Sequence, residues 1–190
     1  MQNGVFQTGN PRWSAVFSLF MGVMALIAAE FIPVSLLTPI ARDLAVTEGM
    51  AGQTVTAVGV FAVLTSLLLA PLTGNIDRRR ILLAFSAMLA ASYMLIGIAP
   101  TYPIMLIGRA ILGICVGGFW SLASAVTLQL VPTKDVPRAL SIVYAGVSVA
   151  TIIALPVASW IGHLIGWRNV FFLGALMAAI GFVWQYRALP

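Results

Sequence analysis

The sequence predicts an all-α membrane protein, a bundle of six transmembrane helices, and three observations carry that prediction. Hydrophobic residues fill 61% of the 190 positions and charged residues only 8%, whereas a soluble domain is about 25% charged. Apolar stretches recur six times along the chain, each near the roughly 20 residues needed to cross hydrocarbon. Finally, the run from Gly108 to Leu130 places Arg109, Gly113, Gly117, Trp120, Ser124 and Thr127 three or four residues apart, on one face of one helix. Lipid cannot satisfy such a stripe, so it is expected to face protein or a water-filled path.

In order, residues 1–12 read as a polar tail and residues 13–190 as the bundle. Span 1, about 13–40, opens on Trp13 as an interfacial anchor, carries Glu30, and holds Pro33 and Pro39, which should kink or end it. Span 2, about 50–72, follows a polar link and is rich in Gln and Thr at its start. Asp77 and the Arg78-Arg79-Arg80 cluster form the turn into span 3, about 81–99. Span 4, about 103–130, carries the polar stripe. Span 5, about 138–165, repeats hydroxyls at helical steps through Ser141, Tyr144, Ser148, Thr151 and Ser159, and contains Pro156. Gly166-Trp167 turns into span 6, about 168–186.

Charge placement orients the bundle. Arg12, Arg78, Arg79, Arg80, Lys134, Arg138 and Arg187 fall on the side of the two chain ends, and Arg42 and Arg168 on the other. The excess of basic residues places both ends in the cytoplasm. Spans 1–3 and 4–6 share a rhythm of lengths and polarity, and an odd-numbered unit re-enters from the opposite side, so an inverted 3+3 repeat is expected. By polar content spans 1, 2, 4 and 5 should face a cavity or a partner half, and spans 3 and 6 the lipid.

Several function classes drop out. The ten Lys and Arg give a net charge of +5, but they are too scattered for a nucleic-acid face. One cysteine, Cys115, permits no disulfide framework, and no metal-ligand spacing occurs. The first apolar run is too long for a signal peptide. With one histidine and no loop of any length, no catalytic group has an aqueous base or metal beside it, so an enzyme is not expected.

Two charges lie within the apolar spans, and such groups commonly have a job and a partner. Glu30 and Arg109 both fall in the outer half, offset in depth by about 9 Å if every residue rises as in a straight helix. In the functional reading Glu30 takes and releases a proton while Arg109 senses or stabilises the anion, because burial and neighbouring cations both act on a carboxyl group. In the other reading they are a static pair joining two helices. Trp120 and Tyr144, with Ser124 and Ser148, are candidate contacts for a planar substrate, against a plain packing role. Gly113, Gly117 and Gly118 permit close helix packing. Asp77 and Arg78 are candidates for an inside gate latch, against a charge cluster that only sets topology. His163 reads as an interface residue and Cys115 as inert packing.

RWSAVFS (Arg12 to Ser18), EFIPVSLLTPIA (Glu30 to Ala41), GRAILG with VGGFW (Gly108 to Trp120), LVPTKDVPRALS (Leu130 to Ser141) and GWRNVF (Gly166 to Phe171) together touch almost the whole chain. They resemble the amino-terminal six-helix half of a major facilitator superfamily transporter of the drug/proton antiporter type, and within it the bacterial purine ribonucleoside efflux subfamily. Arg109, Gly113 and Gly117 match that family's fourth-helix motif. Ala154 and Pro156 stand where its fifth-helix antiporter motif has glycine and proline. Its loop motif between the second and third helices is degenerate here, with Gly74 only three residues before Asp77. The resemblance implies proton-driven efflux of purine ribonucleosides such as inosine or guanosine, and of related analogues, across the bacterial inner membrane. It implies no cofactor beyond protons as the coupling ion, and a second six-helix half that is either a missing carboxy-terminal half or a second copy. The alternatives are export of another drug or sugar-like solute, or a non-transporting membrane module.

Overall fold

The structure is a computed structural model that describes residues 11–73 and 76–190. Most of the tail and Gly74 lie outside the described residues. Every regular element among those described is helical. Span 1 is built of α1 (Trp13–Ser35) and the short α2 (Leu37–Asp43); span 2 is α3 (Glu48–Thr73), span 3 α4 (Arg78–Ile98) and span 4 α5 (Tyr102–Leu130). Span 5 joins α6 (Val136–Val149) through a π-helical turn, Ala150–Ala154, to α7 (Leu155–Ile165), and span 6 is α8 (Trp167–Ala188). All six are long and apolar enough to cross a membrane.

Local chemistry sets the ends. Asp77 caps α4 by accepting from the Arg79 backbone N–H at 3.0 Å. Pro103 and Pro137 sit in the first turns of α5 and α6, where a missing N–H costs nothing. The tight corner between α7 and α8 is Gly166 at φ +88°, a conformation that side chains resist. Pro33 does not end span 1. It lies inside α1, and the break comes at Leu36.

Spans 1 and 4 touch at the middle of the bundle. Span 1 packs on spans 5 and 6, span 4 on spans 2 and 3, and span 3 on span 6. Exchanging spans 1, 2, 3 for 4, 5, 6 maps this neighbour scheme onto itself. The share of buried residues in the most apolar 18-residue stretch of each span follows the same exchange, at 67% and 61% for spans 1 and 4, 44% and 39% for spans 3 and 6, and 17% for each of spans 2 and 5. That is the packing of an inverted 3+3 repeat.

The expected outward role of spans 3 and 6 applies to one face of each only. Met94, Ile98, Leu173 and Leu176 are exposed, but Ser86, Ser92, Tyr93 and Gln185 point inward and are buried. The polar atoms on these two spans are few because they are needed only where the spans join their neighbours. Spans 2 and 5 carry the barest apolar surfaces, with Val63, Leu67, Ile152 and Trp160 each more than half exposed.

Candidate functional site

The seam between spans 2 and 4 begins the site. A Cβ at Gly113 would stand 2.5 Å from the Val58 carbonyl, and one at Gly117 would collide with the Ala62 carbonyl. Val58 and Ala62 are one turn apart, as are Gly113 and Gly117, so the two spans run parallel with backbones in contact. One turn earlier on each helix the register brings Thr54 beside Arg109. The first half of the predicted stripe is therefore a packing seam rather than the wall of a path.

Arg109 is fully buried, at 0% exposure. Its Nη1 donates to the Ala29 carbonyl at 2.6 Å, Nη2 to the Glu30 carbonyl at 2.9 Å, and Nε to the Thr54 carbonyl at 3.1 Å. The guanidinium reaches the backbone of Glu30, so the depth offset expected from residue counting is bridged. A kink in span 1 and the length of an arginine are the two ways open to close that gap, and the structure has both a break at Leu36 and the extended Arg109 side chain. Glu30 is half-buried. Its carboxylate feels the Arg109 charge, yet among the described residues it makes no hydrogen bond and no ion pair within 4.0 Å. The guanidinium meets the backbone of Glu30, not its side chain.

Trp120, Ser124 and Tyr144 come together where span 4 meets span 5. The Trp120 and Tyr144 rings stack, with centroids 5.5 Å apart and planes 13° from parallel, and Ser124 Oγ lies 2.9 Å from the Tyr144 hydroxyl. Tyr144 is 44% exposed, so part of the pair's surface is open. Ser148 is exposed one turn further along α6. Thr127, the last member of the stripe, is buried and bonds the Ala123 carbonyl of its own helix at 2.7 Å. The aromatic pair stands eleven residues beyond Arg109 on α5, about 16 Å along the helix. The charged and aromatic clusters thus lie at different depths.

The remaining candidates are dispersed. Asp77 is the α4 cap and Arg78 is exposed. Their neighbour Arg79 makes the cross-bundle contact, donating to the Tyr186 carbonyl at 2.8 Å. Ala154 closes the π-helical turn, and Pro156 is exposed just beyond it. His163 is exposed near the end of α7, and Cys115 is buried.

Sequence reasoning missed two groups. Gln185 is fully buried; it accepts from Ser86 Oγ at 2.5 Å and donates to the Ser18 carbonyl at 3.1 Å, joining spans 6, 3 and 1. Tyr93 adds a bond from its hydroxyl to the Ala25 carbonyl at 2.7 Å. The available signal was that a polar residue on an otherwise apolar span has few places to go but inward. At the end of the bundle far from the chain termini, Asp43 is ion-paired with Arg168 and accepts from Trp167 Nε1 at 3.1 Å, while Arg168 also donates to the Ala99 carbonyl at 2.9 Å. Arg42 and Arg168, read only as topology markers, line one open cavity there.

The family model described as Major Facilitator Superfamily matches residues 13–190. The chain is 46% identical over 178 residues to a protein of Pseudomonas aeruginosa named transcription regulatory protein OpdE, covering 94% of this chain and 44% of that protein. It is 44% identical over 180 residues to the purine ribonucleoside efflux pump NepI of Salmonella paratyphi B, covering 95% of this chain and 45% of the pump. The chain therefore spans less than half the length of these curated relatives. A peptide transporter POT solved with alafosfalin superposes with a TM-score of 0.80 at 16% identity, over 98% of this chain and 39% of that one. A POT family transporter solved with 5-aminolevulinic acid gives 0.75 at 18%, with the same coverage. At those identities the likeness shows the fold alone. The matched family and fold are those of transporters, not enzymes.

Proposed function

The chain belongs to the Major Facilitator Superfamily, and from that premise we propose that it is the amino-terminal half of a proton-coupled exporter of purine ribonucleosides and related purine analogues. In this reading both of its ends face the cytoplasm of a bacterium and the bundle sits in the inner membrane. The observation that carries the proposal is the Glu30 carboxylate, on the residue whose backbone carbonyl the fully buried Arg109 guanidinium bonds, and without a bonded partner among the described residues. Such a group has no structural bond to lose when it binds or releases a proton. The stacked Trp120–Tyr144 pair with its hydroxyls supports a flat heterocycle as cargo, and the NepI relatives bear the name of a purine ribonucleoside pump.

Glu30 carries the proton and Arg109 supplies the fixed positive charge beside it. Tyr144 offers its exposed ring surface, backed by Trp120, and Ser124 and Ser148 supply hydroxyls. A second six-helix half covers the bare faces of spans 2 and 5, and the two halves rock about the cavity between them. No cofactor takes part; protons are the coupling ion. Ala154 and Pro156 shape the bend in span 5, and Asp77 and Arg78 act at the cytoplasmic loop.

The test uses vesicles with the reading frame that carries this chain expressed in full. Glu30→Gln should abolish inosine export driven by a pH gradient while leaving insertion intact; undiminished pH-driven export in that variant removes Glu30 from the mechanism. A second reading, a regulatory membrane protein, is favoured by the OpdE name at 46% identity. Absence of any nucleoside flux in the unmutated protein would select it.

A further inference from the structure

We infer that Pro33 and Arg109 act as one unit, in which the guanidinium replaces the backbone N–H that proline lacks, so that Pro33 is a positioning residue for the Arg109 charge. In an α-helix the N–H of residue 33 would serve the carbonyl of residue 29, and proline has none to give. That carbonyl, on Ala29, is the acceptor of the shortest of the three Arg109 bonds, at 2.6 Å. Ala29 is 1% exposed and Arg109 0%, and Pro33 is buried as well. Neither water nor lipid can reach the freed carbonyl, and a buried acceptor without a donor is costly.

The other prolines inside or just within helices provide the control. Pro39 is half-buried, and Pro71 and Pro156 are exposed. Among the described residues, no side chain donates to the carbonyl four residues before any of them, on Ser35, Leu67 or Ile152. Of these four, only the buried proline is served by a side chain; the Ala99 carbonyl, four residues before Pro103, also accepts from Arg168, but Pro103 opens its helix, where no ladder N–H is missing. The remaining two bonds, to the Glu30 and Thr54 carbonyls, use the planar fork of arginine in a way a lysine ammonium cannot copy. Three of the guanidinium's donors are thus bound to backbone, which fixes its charge in place and makes it a field source for Glu30 rather than a direct ligand of cargo. This last consequence rests on the proton-coupled reading; the pairing of Pro33 with Arg109 does not.

The experiment is a double-mutant cycle on the full-length protein, with thermal unfolding in detergent as the readout. Pro33→Ala restores an N–H for Ala29. Arg109→Lys should then lower the melting temperature by about 2 °C less in the Pro33→Ala background than in the native one. Additive losses overturn the unit. If Arg109→Lys does not fold alone, folding of the double variant supports the proposal. If neither folds, restoring the N–H has rescued nothing and the pairing is overturned. Where Glu30→Gln abolishes pH-driven export, Pro33→Ala alone also moves the midpoint of the export pH profile by about 0.5 unit with inosine KM unchanged, a shift that a purely mechanical kink would not produce, and an unmoved midpoint then overturns the positioning role. Should Glu30→Gln keep its pH-driven export, the proton reading fails and the thermal cycle still reports on Pro33 and Arg109.

Discussion

Spans 1 and 5 each carry a proline in the half of the bundle away from the chain ends, and the molecule treats the two in opposite ways. At Pro33 the helix continues for two more residues, because Arg109 from span 4 supplies the missing donor inside a packed core. At Pro156 no side chain among the described residues donates to the Ile152 carbonyl. The helix instead takes a π-helical turn at Ala150–Ala154, with the Thr151 hydroxyl bonding the Val147 carbonyl at 3.0 Å, on a face that is exposed. The same residue type thus locks one span and loosens its neighbour. What separates them is whether a buried donor lies opposite, and π-turns gather where helices must give way.

The comparison can be broken at either end. The largest effect is expected from Arg109→Ala, which orphans the buried Ala29 carbonyl, strips a bond from two others and opens a cavity; a loss of about 3–5 kcal/mol, or failure to accumulate in the membrane, should show in thermal unfolding. Stability within about 1 kcal/mol of the parent would mean that span 1 is not held by this arginine at all. Pro156→Ala should matter far less to stability, within about 1 kcal/mol, since the site is exposed and the α-helical register can recover. Its expected effect is on the export rate of the full-length protein, and a melting temperature that falls as far as that of Arg109→Ala would erase the contrast. Smallest is Tyr144→Phe, which keeps the ring stack and removes only the 2.9 Å contact with Ser124. A loss of about two- to tenfold in nucleoside affinity is expected from one hydrogen bond, read by ligand-induced quenching of tryptophan fluorescence, and no change would make the hydroxyl irrelevant to cargo.

Some of the site was legible because it rests on helical spacing alone. Trp120 and Ser124 are one turn apart on α5, and Tyr144 and Ser148 one turn apart on α6, so two amphipathic stripes only had to meet. The glycines of the Arg109–Gly113–Gly117 stripe were legible as a close-packing face, but the sequence did not say which helix they pack on; the register against Val58 and Ala62 did. Gln185 was visible as a late polar residue but not as a buried link, because span 6 otherwise reads as apolar and was expected to face lipid; the Asp43–Arg168 pair was not legible because its members are 125 residues apart.

Hydrophobic length and charge spacing by themselves determined that this chain makes six membrane-crossing helices with two ionisable groups inside them. Those properties are local, set by transfer of each stretch out of water. Only the tertiary structure decided what the buried arginine bonds. Its partners are main-chain carbonyls, which every residue has and no sequence distinguishes, and one of them is free only because a proline sits a turn later.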